Sequence, residues 1–265
     1  MSYFLSKNEI KLSKKYKEQG YIVFKNFDKN FLKEVEKVIK PFLIKKLKLK
    51  KNIKFLNILN NFHKYIGIKD LNKLRLDLIK LINSSRKIRE LYFINSRPYL
   101  YSLIGNELAM QNRINLSIQL PNDDSSLLPI HSDTWSGDSP YETVVWVPLV
   151  NCYKTKSMYI LKAKKYKKFL DDFKEFKNKN SQFIFKKIKK DLLWIKVKSG
   201  ESLIFNQNLP HGNVVNLEKE TRWSFNCRFK SIFSPYGDKK IGEFFTPITP
   251  RAQSEIGMNY DLPKL

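Results

Sequence analysis

The 265 residues contain only three histidines, at positions 63, 131 and 211, so histidine-based chemistry has few places to sit. His131, Ser132 and Asp133 form an H-x-D triplet. In extended backbone, residues i and i+2 face the same way, so an imidazole and a carboxylate are presented on one side. His211 follows 80 positions later, just after Ser202 to Phe205, a short run that reads as a strand. Two histidines and one carboxylate on a β scaffold match the donor set that holds non-haem iron(II) and leaves three coordination positions open. The triplet is a weak signal by itself, and either histidine taken alone is equally a hydrogen-bonded core or surface residue. His63 lies in the Asn60 to Tyr65 segment, apart from the others, and reads as a packing or surface residue.

The context after His211 strengthens the triad. Arg222 stands 11 positions further on and opens a run of strict alternation. Arg222, Ser224, Asn226 and Arg228 fall on one face, with Trp223, Phe225, Cys227 and Phe229 on the other. A guanidinium taken out of water without a partner costs several kcal/mol, roughly. Arg222 and Ser224 buried together therefore call for an anion, and a carboxylate held by a planar fork and a hydroxyl supplies one. Arg113 to Leu120 alternates in the same way, with Arg113, Asn115, Ser117 and Gln119 opposite Ile114, Leu116, Ile118 and Leu120.

These residues need elements to hold them. Tyr21 to Phe27 reads as an early strand after Gly20, followed by a helix with Leu32, Val35, Val38 and Ile39 on one face, which Pro41 is expected to kink or end. A second amphipathic helix is expected from Leu71 to about Leu91. Beyond Met110 the pattern turns to strands: 113–120, 143–149, 157–161, 192–197, 202–205, 213–217 and 221–229, separated by Gly, Pro, Asn and Asp. Tyr166, Phe169, Leu170, Phe173 and Phe176 recur at helical spacing in a lysine-rich insertion near 162–190, which should pack on the outside of the sheet. No repeat or Gly/Pro/Ser-rich linker divides the chain, so one domain over 1–265 is expected. Its parts would be a mostly helical 1–110, a β core at 111–233 and a tail at 234–265.

Composition bounds the function. Lys and Arg number 50 against 25 acidic residues, a formal charge of +25 that raises the question of nucleic acid. Only eight of the 50 are arginines, however. Readers of nucleic acid favour arginine for bidentate contacts, so lineage composition accounts better for the 42 lysines, and nucleic acid is not the expected partner. Hydrophobic residues at 42% and aromatics at 14% exclude a disordered chain. Cys152 and Cys227 cannot make a disulfide framework, no run approaches a membrane span, and a cytoplasmic protein is expected.

With these residues in place, the sequence resembles the iron(II)- and 2-oxoglutarate-dependent oxygenases, in particular the phytanoyl-CoA hydroxylase-like branch. The resemblance is carried by Gly20 to Phe24, the triplet His131 to Asp133, Gly200 to Phe205, Pro210 to Asn213, and Arg222 with Ser224, spread over about residues 20 to 230. It implies a mainly β fold with flanking helices, namely a double-stranded β-helix (jelly roll, cupin-like barrel) with helices packed on one sheet. It also implies Fe(II) held by His131, Asp133 and His211, with 2-oxoglutarate and O2 as cosubstrates. Arg222 and Ser224 would take the far carboxylate of 2-oxoglutarate. Asn213 and Gln119 are candidate further contacts to it, or equally hydrogen bonds that hold the barrel. Trp135 and Asp138 are candidate substrate residues. Asn226 and Arg228 extend the inward polar face toward substrate, with a wall ion pair as the alternative. The loops around 120–140, 146–149 and 155–158 resemble bacterial 2-oxoglutarate oxygenases of surface-carbohydrate clusters. The expected activity is therefore hydroxylation of a C–H bond in a small polar or anionic metabolite. A nucleic-acid- or protein-modifying oxygenase and a non-catalytic jelly-roll binding module are the alternatives.

Overall fold

The computed structural model describes residues 4–26, 28, 30–176 and 178–263. Phe27 at the end of the expected first strand, Lys177 in the insertion and the two chain ends lie outside them. The order of elements is α1 (Lys7–Gln19), β1 (Tyr21–Lys25), α2 (Asn30–Leu47), α3 (Phe55–Asn60), α4 (Ile68–Asn83), α5 (Arg86–Leu103), β2 (Leu108–Gln111), β3 (Asn115–Gln119), β4 (Thr143–Pro148) and β5 (Tyr159–Leu161). It continues with α6 (Tyr166–Asp171), α7 (Ser181–Ile188), β6 (Leu192–Trp194), β7 (Glu201–Asn206), β8 (His211–Gly212), β9 (Arg222–Ser231), β10 (Phe245–Pro247) and α8 (Ala252–Met258). No described helix is long and apolar enough to cross a membrane.

The strands form two antiparallel sheets. The larger runs β1-β7-β4-β9-β2-β10, with β3 also paired to β9; the smaller runs β6-β5-β8. The long β9 organises the first of these. It pairs with β4 from Thr143↔Phe229 to Pro148↔Ser224, and its other edge is shared between β3 and β2. Alternation then separates two faces. Leu116, Ile118, Val145, Trp223, Phe225, Cys227 and Phe229 point into one core with helical residues such as Phe31, Leu78, Ile82 and Tyr92. Asn115, Ser117, Val144, Trp146, Arg222, Asn226 and Arg228 point the other way and line a cavity together with His211 and Gly212 of the small sheet. The two sheets do not join into one closed ladder.

Several helices depart from expectation for visible reasons. α2 runs through Pro41 to Leu47. The missing hydrogen bond and ring clash cost about 3 kcal/mol, but Val35, Ile39 and Leu43 form one fully buried stripe across the proline. Each such side chain contributes roughly 1.5–3 kcal/mol, which outweighs the break. The single helix expected over 71–91 is two, α4 and α5, because the Ser85 side chain accepts from the Ile88 amide and caps a new start. The expected strand at 213–217 is absent. There the Asn216 side chain bonds locally, its amide nitrogen donating to the Glu220 carbonyl at 2.8 Å and its oxygen accepting from the Glu218 amide at 3.1 Å, and the backbone makes a lone bridge to Pro121 in place of a ladder. β2 and β10, short and without alternation, were not legible. The insertion is helical as expected, and Phe169, Phe176, Ile184 and Ile188 pack with Tyr159, Leu161 and Leu192 of the small sheet.

Candidate metal centre and cosubstrate pocket

Backbone pairing brings the triad together. His131 and His211 form an isolated antiparallel bridge, with amide-to-carbonyl distances of 2.9 and 2.8 Å in the two directions. Their rings lie 4.3 Å apart, centroid to centroid. Each ring's Nδ1 sits on a main-chain carbonyl two residues earlier, His131 on Pro129 at 2.8 Å and His211 on Leu209 at 2.9 Å. A carbonyl can only accept, so Nδ1 carries the proton and Nε2 keeps its lone pair. Both Nε2 atoms face Asp133 Oδ1, at 3.3 Å from His131 and 3.8 Å from His211. One ligand atom from each of the three residues falls within a 4.8 Å span, the size of a metal coordination shell.

The electrostatics favour the metal-binding protonation state. Burial, and then the neighbouring His131, push His211 down to about 4, so its imidazole is neutral at pH 7. Burial would raise the Asp133 carboxyl, but the two histidines that face it and the Arg228 guanidinium outweigh it and hold the group well below the usual carboxylate range.

Arg222 also lines the cavity. It is buried, and its guanidinium donates to Ser117 Oγ at 2.9 Å across the β3–β9 ladder. Burial pulls its pKa below the ordinary value. Among the described residues no carboxylate pairs with it, and its Nε, the Ser224 hydroxyl and Gln119 Oε1 are buried without partners. Two of these, Arg222 Nε and the Ser224 hydroxyl, are donors that a carboxylate ligand would satisfy, while Gln119 Oε1 can only accept.

The remaining candidates divide. Asn213 lines the cavity, and its carbonyl oxygen accepts the Leu128 amide at 2.8 Å, fixing the loop before His131. Gln119 donates to the Val214 carbonyl at 2.6 Å and does not line the cavity. Asn226 lines it and accepts from Asn115 at 3.0 Å. Arg228 is committed to an ion pair with Asp133 (2.8 Å), and Asp138 is shared between Arg228 (3.3 Å) and Lys239. Trp135, expected beside substrate, is not among the lining residues; it packs on Phe169 and Phe173 of the insertion. The 3-10 turn over Asp133–Ser136 explains this, since i and i+3 eclipse and Ser136 takes the cavity side instead. His63 bonds Thr221, as a packing residue would, and Arg113 is exposed.

The sequence reading missed Lys239, Gln207, Ser117 and Asn115 as site residues. The last two lay on the polar face of an alternating strand and could have been found there. Lys239 gave no signal among 42 lysines.

Gly212 fits too closely to tolerate a side chain. A Cβ there would lie 2.7 Å from the Leu128 carbonyl oxygen and from the Tyr159 hydroxyl. Gly212→Ala is expected to push the 128–131 loop away and loosen the centre. Loss of metal affinity should resemble loss of an outer-shell partner, about 10–100-fold, read by calorimetric titration with Mn(II).

No family model and no curated protein matches this chain. Solved structures do resemble it. The non-heme alpha-ketoglutarate-dependent carbocyclase SnoK from nogalamycin biosynthesis is 13% identical, with 93% of this chain and 97% of that one covered at a TM-score of 0.54. HygX from Streptomyces hygroscopicus, solved with nickel and 2-oxoglutarate bound, is 11% identical over 88% and 89% of the two chains, also at 0.54. AviO1 from Streptomyces viridochromogenes Tue57 is 9% identical over 88% and 99%, at 0.50. At such identities the likeness establishes a shared fold.

Proposed function

We propose that this protein is an iron(II)- and 2-oxoglutarate-dependent oxygenase. The observation that carries the reading is the pairing of two sites in one cavity of about 340 Å³, a buried Arg222 with an unpartnered Nε and no carboxylate beside it, and a His131–Asp133–His211 cluster with three ligand atoms. HygX, with the same fold, holds nickel and 2-oxoglutarate. His131, Asp133 and His211 would hold the metal, while Arg222, Ser117 and Ser224 would take the far carboxylate of the cosubstrate. Iron(II), 2-oxoglutarate and O2 together supply oxidation of a substrate C–H bond, with succinate and carbon dioxide as coproducts.

The chain's own residues orient these partners and exclude water from them. In this reading the two sheets are the halves of a jelly roll, and residues 1–265 form one unit. The substrate is a small polar metabolite, anionic or carbohydrate-like, recognised by Asn115, Asn226, Ser136 and the Asp138–Lys239 pair, with hydroxylation as the outcome. The test is mass spectrometry of succinate with Fe(II) and 2-oxoglutarate supplied. Succinate is expected from the wild type and not from His131→Ala; equal yields from both would refute the assignment.

A further inference from the structure

The ion pairs behind Asp133 lead away from the metal centre to the C-terminal segment. Asp133 has two oxygens with separate duties: Oδ1 faces both imidazoles, while Oδ2 is held at 2.8 Å by the Arg228 guanidinium. Arg228 is held in turn by a hydrogen bond from Nε to Gln207 Oε1 at 3.1 Å, and Asp138 Oδ1 lies 3.3 Å from the same nitrogen as an ion-pair contact. Asp138 Oδ2 is taken by Lys239.

Lys239 belongs to a strap laid over the turn that follows Asp133. The Asp238 amide donates to the Gly137 carbonyl at 3.0 Å, and Ser139 Oγ donates to the Pro235 carbonyl at 2.6 Å. The backbones approach so closely that a Cβ on Gly237 would lie 2.3 Å from the Gly137 oxygen.

We propose that Lys239, Asp138 and Arg228 form a positioning network that restricts Asp133 to donating one oxygen to the metal, so that the C-terminal strap governs how many coordination positions stay open for the cosubstrate. The proposal rests on the oxygenase reading of this same site. A carboxylate freed from Arg228 can rotate and offer both oxygens. It then grips a cation more tightly and occupies a position that 2-oxoglutarate needs. Removing the nearby guanidinium charge also removes a repulsion on the cation. Without Lys239, Asp138 is left to Arg228 alone and draws it off Asp133, so a residue that does not touch the triad acts on the metal through two ion pairs.

The test measures two dissociation constants by calorimetry, for Mn(II) and then for 2-oxoglutarate on the Mn(II)-loaded protein, with the Co(II) absorption spectrum as a coordination signature. Arg228→Met is expected to bind Mn(II) several-fold tighter and 2-oxoglutarate about tenfold weaker, with an altered Co(II) spectrum. Lys239→Met should shift both constants in the same directions by less, and Lys239→Arg should restore them. A merely structural role predicts weaker metal binding with 2-oxoglutarate affinity unchanged on the metal that remains, and that result would overturn the proposal. Wild-type constants in Lys239→Met would overturn it too. Failure of the wild type to take up Mn(II) would sink the oxygenase reading itself and the network with it.

Discussion

Asp133→Ala is expected to abolish succinate production and to weaken Mn(II) binding by well over the roughly 100-fold that marks the upper end for an outer-shell partner. Two effects act in the same direction. The substitution removes the only carboxylate of the described cluster, leaving two neutral imidazoles to face a dication. It leaves the Arg228 guanidinium, formerly 2.8 Å from Oδ2, as a repulsive charge beside the centre without the carboxylate that faced it. The fold should survive, because Arg228 keeps Asp138 and Gln207 as partners. Calorimetry with Mn(II) and a thermal melt of the metal-free protein check the two halves. Lost affinity with a melting temperature near the wild type is the expected outcome. Undiminished metal affinity would move the centre elsewhere.

The triad was legible in the sequence because local signals that are weak singly coincide. The H-x-D triplet, the strand before His211 and the strict alternation of Arg222 to Phe229 all depend on period-two backbone, which one sequence displays directly. The single His131–His211 bridge that brings the ligands together is long-range pairing over 80 positions, and no local pattern encodes it. Trp135 shows the opposite failure. An aromatic two residues past Asp133 looked like a wall of the site, yet a four-residue 3-10 turn rotates it onto the insertion. Lys239 was hidden for another reason. Its role comes from a strap docked through glycine-to-glycine backbone contact, and a lysine with a task looks like any other in a chain of net charge +25. The helix break at Ser84–Ser85 was missed because the apolar spacing of α4 and α5 nearly continues across it, and only the Ser85 cap decides the matter.

Arg222→Met separates binding from stability, and its two effects should have opposite signs. In the wild type the guanidinium is buried with Ser117 as its acceptor and Nε unpartnered, so the metal-free, cosubstrate-free protein carries an uncompensated charge. Replacing such a group with an apolar chain of similar length is often stabilising, by about 1–4 kcal/mol, and the variant should melt higher than the wild type. Cosubstrate affinity should move the other way. Truncating one side of a buried charge pair costs about 2–5 kcal/mol, which is roughly a 30- to 4,000-fold weaker dissociation constant for 2-oxoglutarate. Metal affinity should hold, since Arg222 makes no contact with His131, Asp133 or His211. Arg222→Lys is expected to recover little, because a single ammonium cannot reproduce the planar fork that meets a carboxylate and Ser117 together. The decisive measurement is a thermal melt with and without 2-oxoglutarate on the Mn(II)-loaded protein. Added cosubstrate should raise the melting temperature of the wild type and leave the variant's where it was. A variant that melts lower and still responds to 2-oxoglutarate would mean that the guanidinium is a structural charge and that the carboxylate is held by other groups.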